Sequence, residues 1–506
     1  MLKKLRVVLS ILFFSLITFF FVDFAGLMPN GFHWLAHIQL IPAIMAVNVV
    51  IILVLVALTL LFGRIYCSSI CPMGVFQDIS SWLSKRFAKR KKRYKFSKAK
   101  TILRWAVLVA SVAFTMLISF TDPYSAYGRM ATNLFRPVYQ AGNNILESIF
   151  TSFDNYTFYK SEIFISSIFA FVVSLLTFLI IGFLAWRCGR TYCNTICPVG
   201  TALGFLSKYS LYKVRIDADK CNSCGLCERK CKASCINSKE RAVDYSRCVD
   251  CFNCLQGCKQ NAIRFTPRLQ AKAKKVTDEP DVNANRRQFL LASVTTAASV
   301  PALLAQEKAG LLNGGKSYVR QTPIAPPGAR SIKHLLQKCT SCHLCISKCP
   351  TQILKPAFME YGLGGIMMPT MYFEKGFCNF DCTICSDVCP NHALEMLTVE
   401  EKHLTQMGRV VFNEDICVVH TDGTNCGACA EHCPTQAVTM VPYEEGEGLT
   451  IPHINPDICV GCGGCEFICP VRPHTAIYVE GNAVHKQAEP FKEEEKVDIE
   501  IDSFGF

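Results

Sequence analysis

Cys221-Asn222-Ser223-Cys224-Gly225-Leu226-Cys227-Glu228-Arg229-Lys230-Cys231 is followed by Cys248-x2-Cys251-x2-Cys254-x3-Cys258. Three closely spaced thiolates grip one corner of a [4Fe–4S] cube, and the fourth cysteine of each run ligates the other cluster of a two-cluster ferredoxin. One cluster then takes Cys221, Cys224, Cys227 and Cys258, and the other takes Cys248, Cys251, Cys254 and Cys231. The proline that usually follows the fourth cysteine is replaced by Lys232 and Lys259, and Cys235 stands near enough in sequence to substitute for Cys231. Zinc sites favour C-x2-C pairs separated by a longer loop, so triplets with a distant fourth member point to iron and sulfur.

Four more runs lie downstream. Cys339-x2-Cys342-x2-Cys345-x3-Cys349 and Cys459-x2-Cys462-x2-Cys465-x3-Cys469 are regular. Cys378-x3-Cys382-x2-Cys385-x3-Cys389 has one extra residue, and Cys417-x8-Cys426-x2-Cys429-x3-Cys433 has an enlarged first gap. Six clusters would use 24 of the 30 cysteines, leaving Cys67, Cys71, Cys188, Cys193, Cys197 and Cys235. There is no G-x-G-x-x-G nucleotide loop and no nucleophile elbow. The chain therefore reads as an electron-transfer component of an oxidoreductase, with no catalytic residue assigned.

The N-terminal part is of another kind. Half of the 506 residues are apolar, and the long apolar runs fall almost entirely before residue 190. Four of them, about Val7–Val22, Ile38–Phe62, Ile102–Phe120 and Ile163–Trp186, approach the roughly 20 residues that a membrane crossing needs. Eleven Lys and Arg residues between Lys85 and Arg104 nearly account for the net charge of +13. Placed between apolar segments, they mark the cytoplasmic side and not a nucleic-acid surface. Lys3, Lys4 and Arg6 put the N-terminus on that side, and the 121–162 loop goes outside. The expected fold is an α-helical membrane bundle of four helices, with a possible fifth, carrying α+β bacterial-type ferredoxin modules.

An internal repeat ends each half of the bundle: Gly63-Arg64-Ile65-Tyr66-Cys67-x3-Cys71-Pro72-Met73-Gly74 and Gly189-Arg190-Thr191-Tyr192-Cys193-x3-Cys197-Pro198-Val199-Gly200. Thiolates are soft metal ligands. If the halves pack about a pseudo-two-fold axis, Cys67, Cys71, Cys193 and Cys197 converge on one metal or cluster site; otherwise each pair is a redox-active or structural dithiol.

Domain boundaries follow from composition. Residues 1–213 form the membrane domain and 214–268 the first ferredoxin module, followed by a polar linker over 269–285. Asn285-Arg286-Arg287-Gln288-Phe289-Leu290 and the weakly apolar tract after it resemble a twin-arginine export signal over 286–305. Such a route suits a domain whose clusters are built before it crosses, and the segment would remain as the fifth helix. A Gly- and Pro-containing tether spans 306–331, the four-cluster polyferredoxin 332–486 and an acidic tail 487–506.

On the paired C-x3-C-P motifs and the first cysteine cassette, the N-terminal half resembles the NapH-type membrane ferredoxins associated with periplasmic nitrate reductase. From Arg286 onward the chain resembles the NapG and MauM polyferredoxins. The resemblance implies that motifs pair first with fourth and second with third, so that Cys469 completes Cys339, Cys342 and Cys345, while Cys349 joins Cys459, Cys462 and Cys465. Cys433 would join Cys378, Cys382 and Cys385, and Cys389 would join Cys417, Cys426 and Cys429. It further implies an inner-membrane electron carrier between quinol or a cytoplasmic donor and a periplasmic reductase or cytochrome, with the first module cytoplasmic, the second periplasmic, and no nucleic-acid partner. If quinone docks on the outer side, His33, His37, Asp23, Asp122, Tyr124 and Arg129 lie at the expected outer helix ends as candidate contacts, although the His33-x3-His37 pair reads first as interfacial anchoring. The alternatives are a maturation reductase for a copper or iron centre using the C-x3-C-P cysteines, or a redox-sensing regulator.

Overall fold

A computed structural model describes residues 1–87, 94–163, 165–267, 320–443 and 448–490. The linker 269–285, the twin-arginine-like segment 286–305, the tether up to residue 319 and the tail from residue 491 lie outside the described residues.

The apolar tracts fold as helices. α1 (Leu2–Val22) and α11 (Ile168–Cys188) are 21 residues each and are long and apolar enough to cross a membrane. At 1.5 Å per residue each is about 30 Å long. The other two expected spans are each interrupted. After the one-turn helix α2 (Trp34–His37), α3 (Leu40–Met45) is separated from α4 (Val49–Phe62) by Val47 in the left-handed region (φ 55°). Asn48 then restarts the helix by accepting the Ile51 N–H at 3.2 Å, the polar cap that an apolar tract otherwise lacks. α7 (Thr101–Ala113) and α8 (Thr115–Thr121) part at Phe114, which is extended (φ −121°, ψ 107°).

The expected outer loop 121–162 is also largely helical. α9 (Pro123–Met130) leads through a π turn into α10 (Arg136–Thr151). Asp122 caps α9 by accepting the Ser125 N–H at 2.8 Å and hydroxyl at 2.7 Å, with Pro123 in the first turn. Proline loses nothing there, since its missing N–H has no helical acceptor. Each repeat motif forms a short helix, a break at the second cysteine, and a longer helix opening on proline: α5 (Ile65–Ser69) and α6 (Pro72–Phe87), then α12 (Thr191–Thr195) and α13 (Pro198–Ser207).

In the first ferredoxin module, β1 (Tyr212–Ile216) pairs antiparallel with β4 (Ile263–Pro267) and clamps its two ends together around the small ladder β2 (Ile236–Asn237)/β3 (Ala242–Val243). The second module contains β5 (Leu354–Pro356) paired with β6 (Pro369–Met371), β7 (Thr405–Phe412) with β10 (Ile477–Gln487), and β8 (Val438–Pro442) with β9 (Thr450–Ile454). The end of the expected tether belongs to this module. Ile324, Ala325 and Ala329 are fully buried, and Arg320 pairs with Glu466.

The two modules meet opposite ends of the same helices. At the start of α1, Lys3 donates to Gln256 of the first module at 2.9 Å; just past its end, Asp23 pairs with Lys348 of the second at 2.9 Å. α11 runs the other way. Its Phe169 ring meets Phe358 of the second module at 4.8 Å, and beyond its C-terminus the Arg190 N–H donates to the Lys232 carbonyl of the first at 3.0 Å.

One carboxylate fastens the end at the first module. Asp78 on α6 is buried and accepts Arg6 of α1 at 2.9 Å, Arg190 of the second repeat at 2.9 Å and Lys232 of the first module at 3.3 Å. Burial would raise its pKa, but Arg190, Lys232 and Arg6 together hold the carboxyl far below the usual range. Replacing one member of a buried ionic group strands its partners in low dielectric, at about 3–5 kcal/mol. Asp78→Asn, which keeps the shape and removes the charge, is therefore expected to lower the thermal stability of the detergent-purified chain by an amount of that order. A variant melting with the wild type would show that the three cations do not depend on this carboxylate.

Candidate iron–sulfur centres

The first cassette folds into two cavities. Cys221, Cys224, Cys227 and Cys258 line one, with Ile216 and Ile263. Cys248, Cys251 and Cys254 line the other, together with both Cys231 and Cys235, whose Sγ atoms stand 3.5 Å apart. The grouping is the one the spacing predicts, and either Cys231 or Cys235 is within reach as the fourth ligand. Cys224 is exposed, whereas Cys231, Cys235, Cys251 and Cys254 are buried. The first cavity thus faces outward and the second faces the helices, where the charges of Asp78 and Lys232 act on Cys251.

The polyferredoxin groups its cysteines differently from the first-with-fourth arrangement that the resemblance implies. Cys417, Cys426, Cys429 and Cys469 line one cavity. The charge of Cys389 acts on Cys339, Cys342 and Cys345, that of Cys349 on Cys378 and Cys385, and that of Cys433 on Cys459, Cys462 and Cys465. First therefore pairs with second, and third with fourth. The reason is local: each pair is joined through its own hairpin, β5/β6 or β8/β9, which returns the chain beside the run it has just left. The pairs are then linked to each other, since the Cys378 N–H donates to the Cys462 carbonyl at 2.9 Å.

Regular spacing dictates a repeated backbone. In all four C-x2-C-x2-C runs both residues beside the middle cysteine are left-handed: Ser223 and Gly225, Asp250 and Phe252, Ser341 and His343, Gly461 and Gly463. For the non-glycine residues this conformation costs about 1–2 kcal/mol each, and such strain persists where the surroundings over-determine it. Some N–H groups turn onto sulfur, as Ser341 N–H does to Cys339 Sγ at 3.4 Å and Leu394 N–H to Cys389 Sγ at 3.4 Å. The two runs with longer first gaps lack this double turn. In one of them the Lys402 ammonium instead donates to the carbonyls of Asn379 and Cys382. Burial pushes the thiols of Cys342 and Cys462 up to about 12, so cluster assembly must displace their protons.

Of the residues considered for quinone contact, Asp23, Arg129 and His37 meet the second module. Asp23 holds Lys348, Asp122 caps α9, and Tyr124 is buried against Phe21 at 5.6 Å. The Thr340 hydroxyl donates to Ser125 Oγ at 2.9 Å, and Arg129 donates to the Ser341 carbonyl at 3.1 Å. Asn133 donates to His343 Nδ1 at 3.2 Å, and His343 Nε2 donates to the Met367 carbonyl at 3.1 Å. Burial and the charge of Arg129 push His343 down to about 3, so it serves as a neutral joint. His33 lies against Phe20 at 5.6 Å, and the rings of His37 and His392 stand 6.0 Å apart. This interface runs from residues 121–133 to the loop bearing Cys339 and Cys342.

The C-x3-C-P motifs cross over one another. Arg64 of the first repeat donates to the Cys193 carbonyl of the second at 3.2 Å, and Arg190 donates to the Cys67 carbonyl at 2.6 Å. The motif glycine permits this approach, because a Cβ on Gly74 would strike the Cys67 carbonyl and one on Gly200 the Cys193 carbonyl. Cys67, Cys71, Cys193 and Cys197 are all buried in one core, and the charges of the other three act on Cys197. Among the described residues no three His, Cys, Asp or Glu side chains close on a space suited to a single ion, at the ferredoxin cysteines or here. Cys188, the remaining cysteine, is exposed. The symmetry is incomplete: Gln77 and Asp78 of α6 correspond to Leu203 and Gly204 of α13. A side chain at Gly204 would strike the Ser246 carbonyl of the first module.

Among known families, one described as a 4Fe-4S binding domain matches residues 44–91 and 168–217, and 4Fe-4S dicluster domains match 244–353 and 424–472. No solved structure matches. An uncharacterized protein of Methanocaldococcus jannaschii is 23% identical over 269 residues, 52% of this chain and 94% of its own length. The ferredoxin-type protein NapG of Haemophilus influenzae is 28% identical over 218 residues, 40% of this chain and 74% of that protein. NapG of Escherichia coli K12 is 30% identical over 195 residues, 36% of this chain and 80% of that protein. With cysteine runs grouped for clusters and that extent of identity, the chain belongs to the NapG family of ferredoxin-type proteins.

Proposed function

We propose that this protein is a transmembrane electron conduit of the bacterial inner membrane. Electrons from quinol or a cytoplasmic donor enter at one ferredoxin module and leave from the other to a periplasmic terminal reductase or cytochrome. The observation that carries this reading is that α1 and α11, antiparallel and each about 30 Å long, touch the first module at one end and the second at the other. That length matches a hydrocarbon core. Apolar side chains along both helices, among them Val8, Leu12, Leu179 and Phe183, are exposed to the surroundings, as a lipid-facing side requires. Lys3, Lys4 and the 85–104 basic run favour the cytoplasm for the first module, and the second module then lies outside.

Six [4Fe–4S] clusters occupy the six groups. From the cytoplasmic tip the order is the outer Cys221 group, then the inner Cys248 group. Across the helices come the Cys339, Cys378, Cys459 and Cys417 groups in turn. Each passes one electron at a time, with a potential set by hydrogen bonds, charge and exposure. Lys402 beside the Cys378 group is one such charge.

Two outcomes test this reading. In intact spheroplasts, external protease is expected to digest the Cys339–Cys469 module and spare the first; full protection of both would place every cluster on the cytoplasmic face and end the conduit reading. In the purified chain, Cys469→Ala is expected to remove the cluster of Cys417, Cys426 and Cys429 while the Cys339 cluster persists. Site-resolved EPR of the reduced protein, with Cys339→Ala as the reference for the latter signal, reads the difference.

A further inference from the structure

We propose that Cys67, Cys71, Cys193 and Cys197 hold a seventh iron–sulfur cluster, two thiolates from each repeat, which relays electrons between the two ferredoxin modules. Its role as a relay rests on the conduit reading, whereas its existence does not.

Three observations carry the inference. The matched 4Fe-4S binding family covers each repeat separately, yet each C-x3-C-P motif supplies only two cysteines. One repeat cannot complete a four-thiolate cluster; the crossed Arg64 and Arg190 contacts bring the two pairs into a single core.

The second observation is charge. Arg64 is fully buried, and its partners are Asn194 Oδ1 at 3.0 Å, the Ser246 and Cys193 carbonyls, and Cys67 Sγ at 3.8 Å, none of them a carboxylate. The Asp250 carboxylate, which accepts the Arg64 backbone N–H, supplies one counter-charge nearby; a thiolate-bound cluster, which carries net negative charge, would supply another on the guanidinium side, where no carboxylate reaches. Arg64 Nε and Arg190 Nη2 are also buried donors without an acceptor, as expected beside a group whose sulfur atoms would accept from them. Further donors already point at the cysteines: Gln77 Nε2 to Cys193 Sγ at 3.1 Å, and the Gly200 N–H to Cys197 Sγ at 3.3 Å. The thiols are not drawn together around a single-ion space; thiolates on a cluster stand apart because each binds a different part of it.

The third observation is position. On one side the core adjoins Arg190 and Asp78, which reach Lys232 of the first module. On the other, Tyr192 donates to the Thr121 carbonyl at 2.6 Å, next to Asp122 and the Ser125–Thr340 contact with the second module. A centre here stands between the contacts with the two modules and would shorten the electron's path from one to the other. The relay is electron transfer alone: one electron reduces a ferric site to ferrous, the next step reoxidises it, and no bond forms or breaks.

The test uses the full-length chain with its ferredoxin clusters assembled. Cys193→Ala is expected to lose about four iron atoms for a cube, or about two for a [2Fe–2S] centre, together with one EPR signal, while the ferredoxin signals remain. Cys188→Ala is the matched control and keeps its full iron content. Gln77→Leu, which installs the residue found in the other repeat, is expected to retain the iron and to lower the midpoint potential of that one centre, because a hydrogen bond to its sulfur is lost. Unchanged iron and an unchanged set of signals in Cys193→Ala would overturn the proposal, as would stoichiometric copper or zinc in the wild-type chain. Both readouts are independent of topology, so a failure of the conduit reading would be seen separately in the protease experiment.

Discussion

A single buried carboxylate decides how the half of this molecule that carries the first ferredoxin module is put together. Asp78 draws Arg6, Arg190 and Lys232 to one point, so the N-terminal helix, the second repeat and the first ferredoxin module have their relative positions set by one charge. None of those three cations would be tolerated in a low-dielectric core alone. Their joint burial also explains why the inner cluster group lies directly against the helices and is not left on a loose linker.

The second module is held to the helices by many weaker contacts. Ser125, Arg129 and Asn133 meet the backbone and side chains of Thr340, Ser341 and His343, residues that bracket Cys342. The loop that would carry a cluster is thus also the loop that docks. Its left-handed residues serve both ends, since they wrap N–H groups toward sulfur on one face and present Ser341 and His343 to the helices on the other.

Much of this was legible in the sequence, because cysteine spacing is a geometric statement. It gives the groups of Cys221 and Cys248, the four later runs, and the paired C-x3-C-P repeats. The order in which the later runs exchange fourth ligands depends on the hairpins between them, and a spacing rule says nothing about hairpins. The breaks at Val47 and Phe114 lie in tracts that are apolar throughout, where the hydrophobic pattern carries no punctuation. Asp122-Pro123 did announce a helix start in the outer segment, but sparse charge there reads as loop. That Asp23, His37 and Arg129 meet the second module is a tertiary fact, which no local pattern in the sequence carries.

The fused repeats have one more consequence. Two identical subunits about a true axis must carry the same residue on both faces of their shared core, so an aspartate that neutralises one arginine would neutralise its mate as well. Joining the halves in one polypeptide lifts that restriction. Here aspartate stands at position 78 against glycine at 204, and glutamine at 77 against leucine at 203. The core therefore has a front and a back, and a polarity that two identical subunits could not express is written into its covalent connectivity.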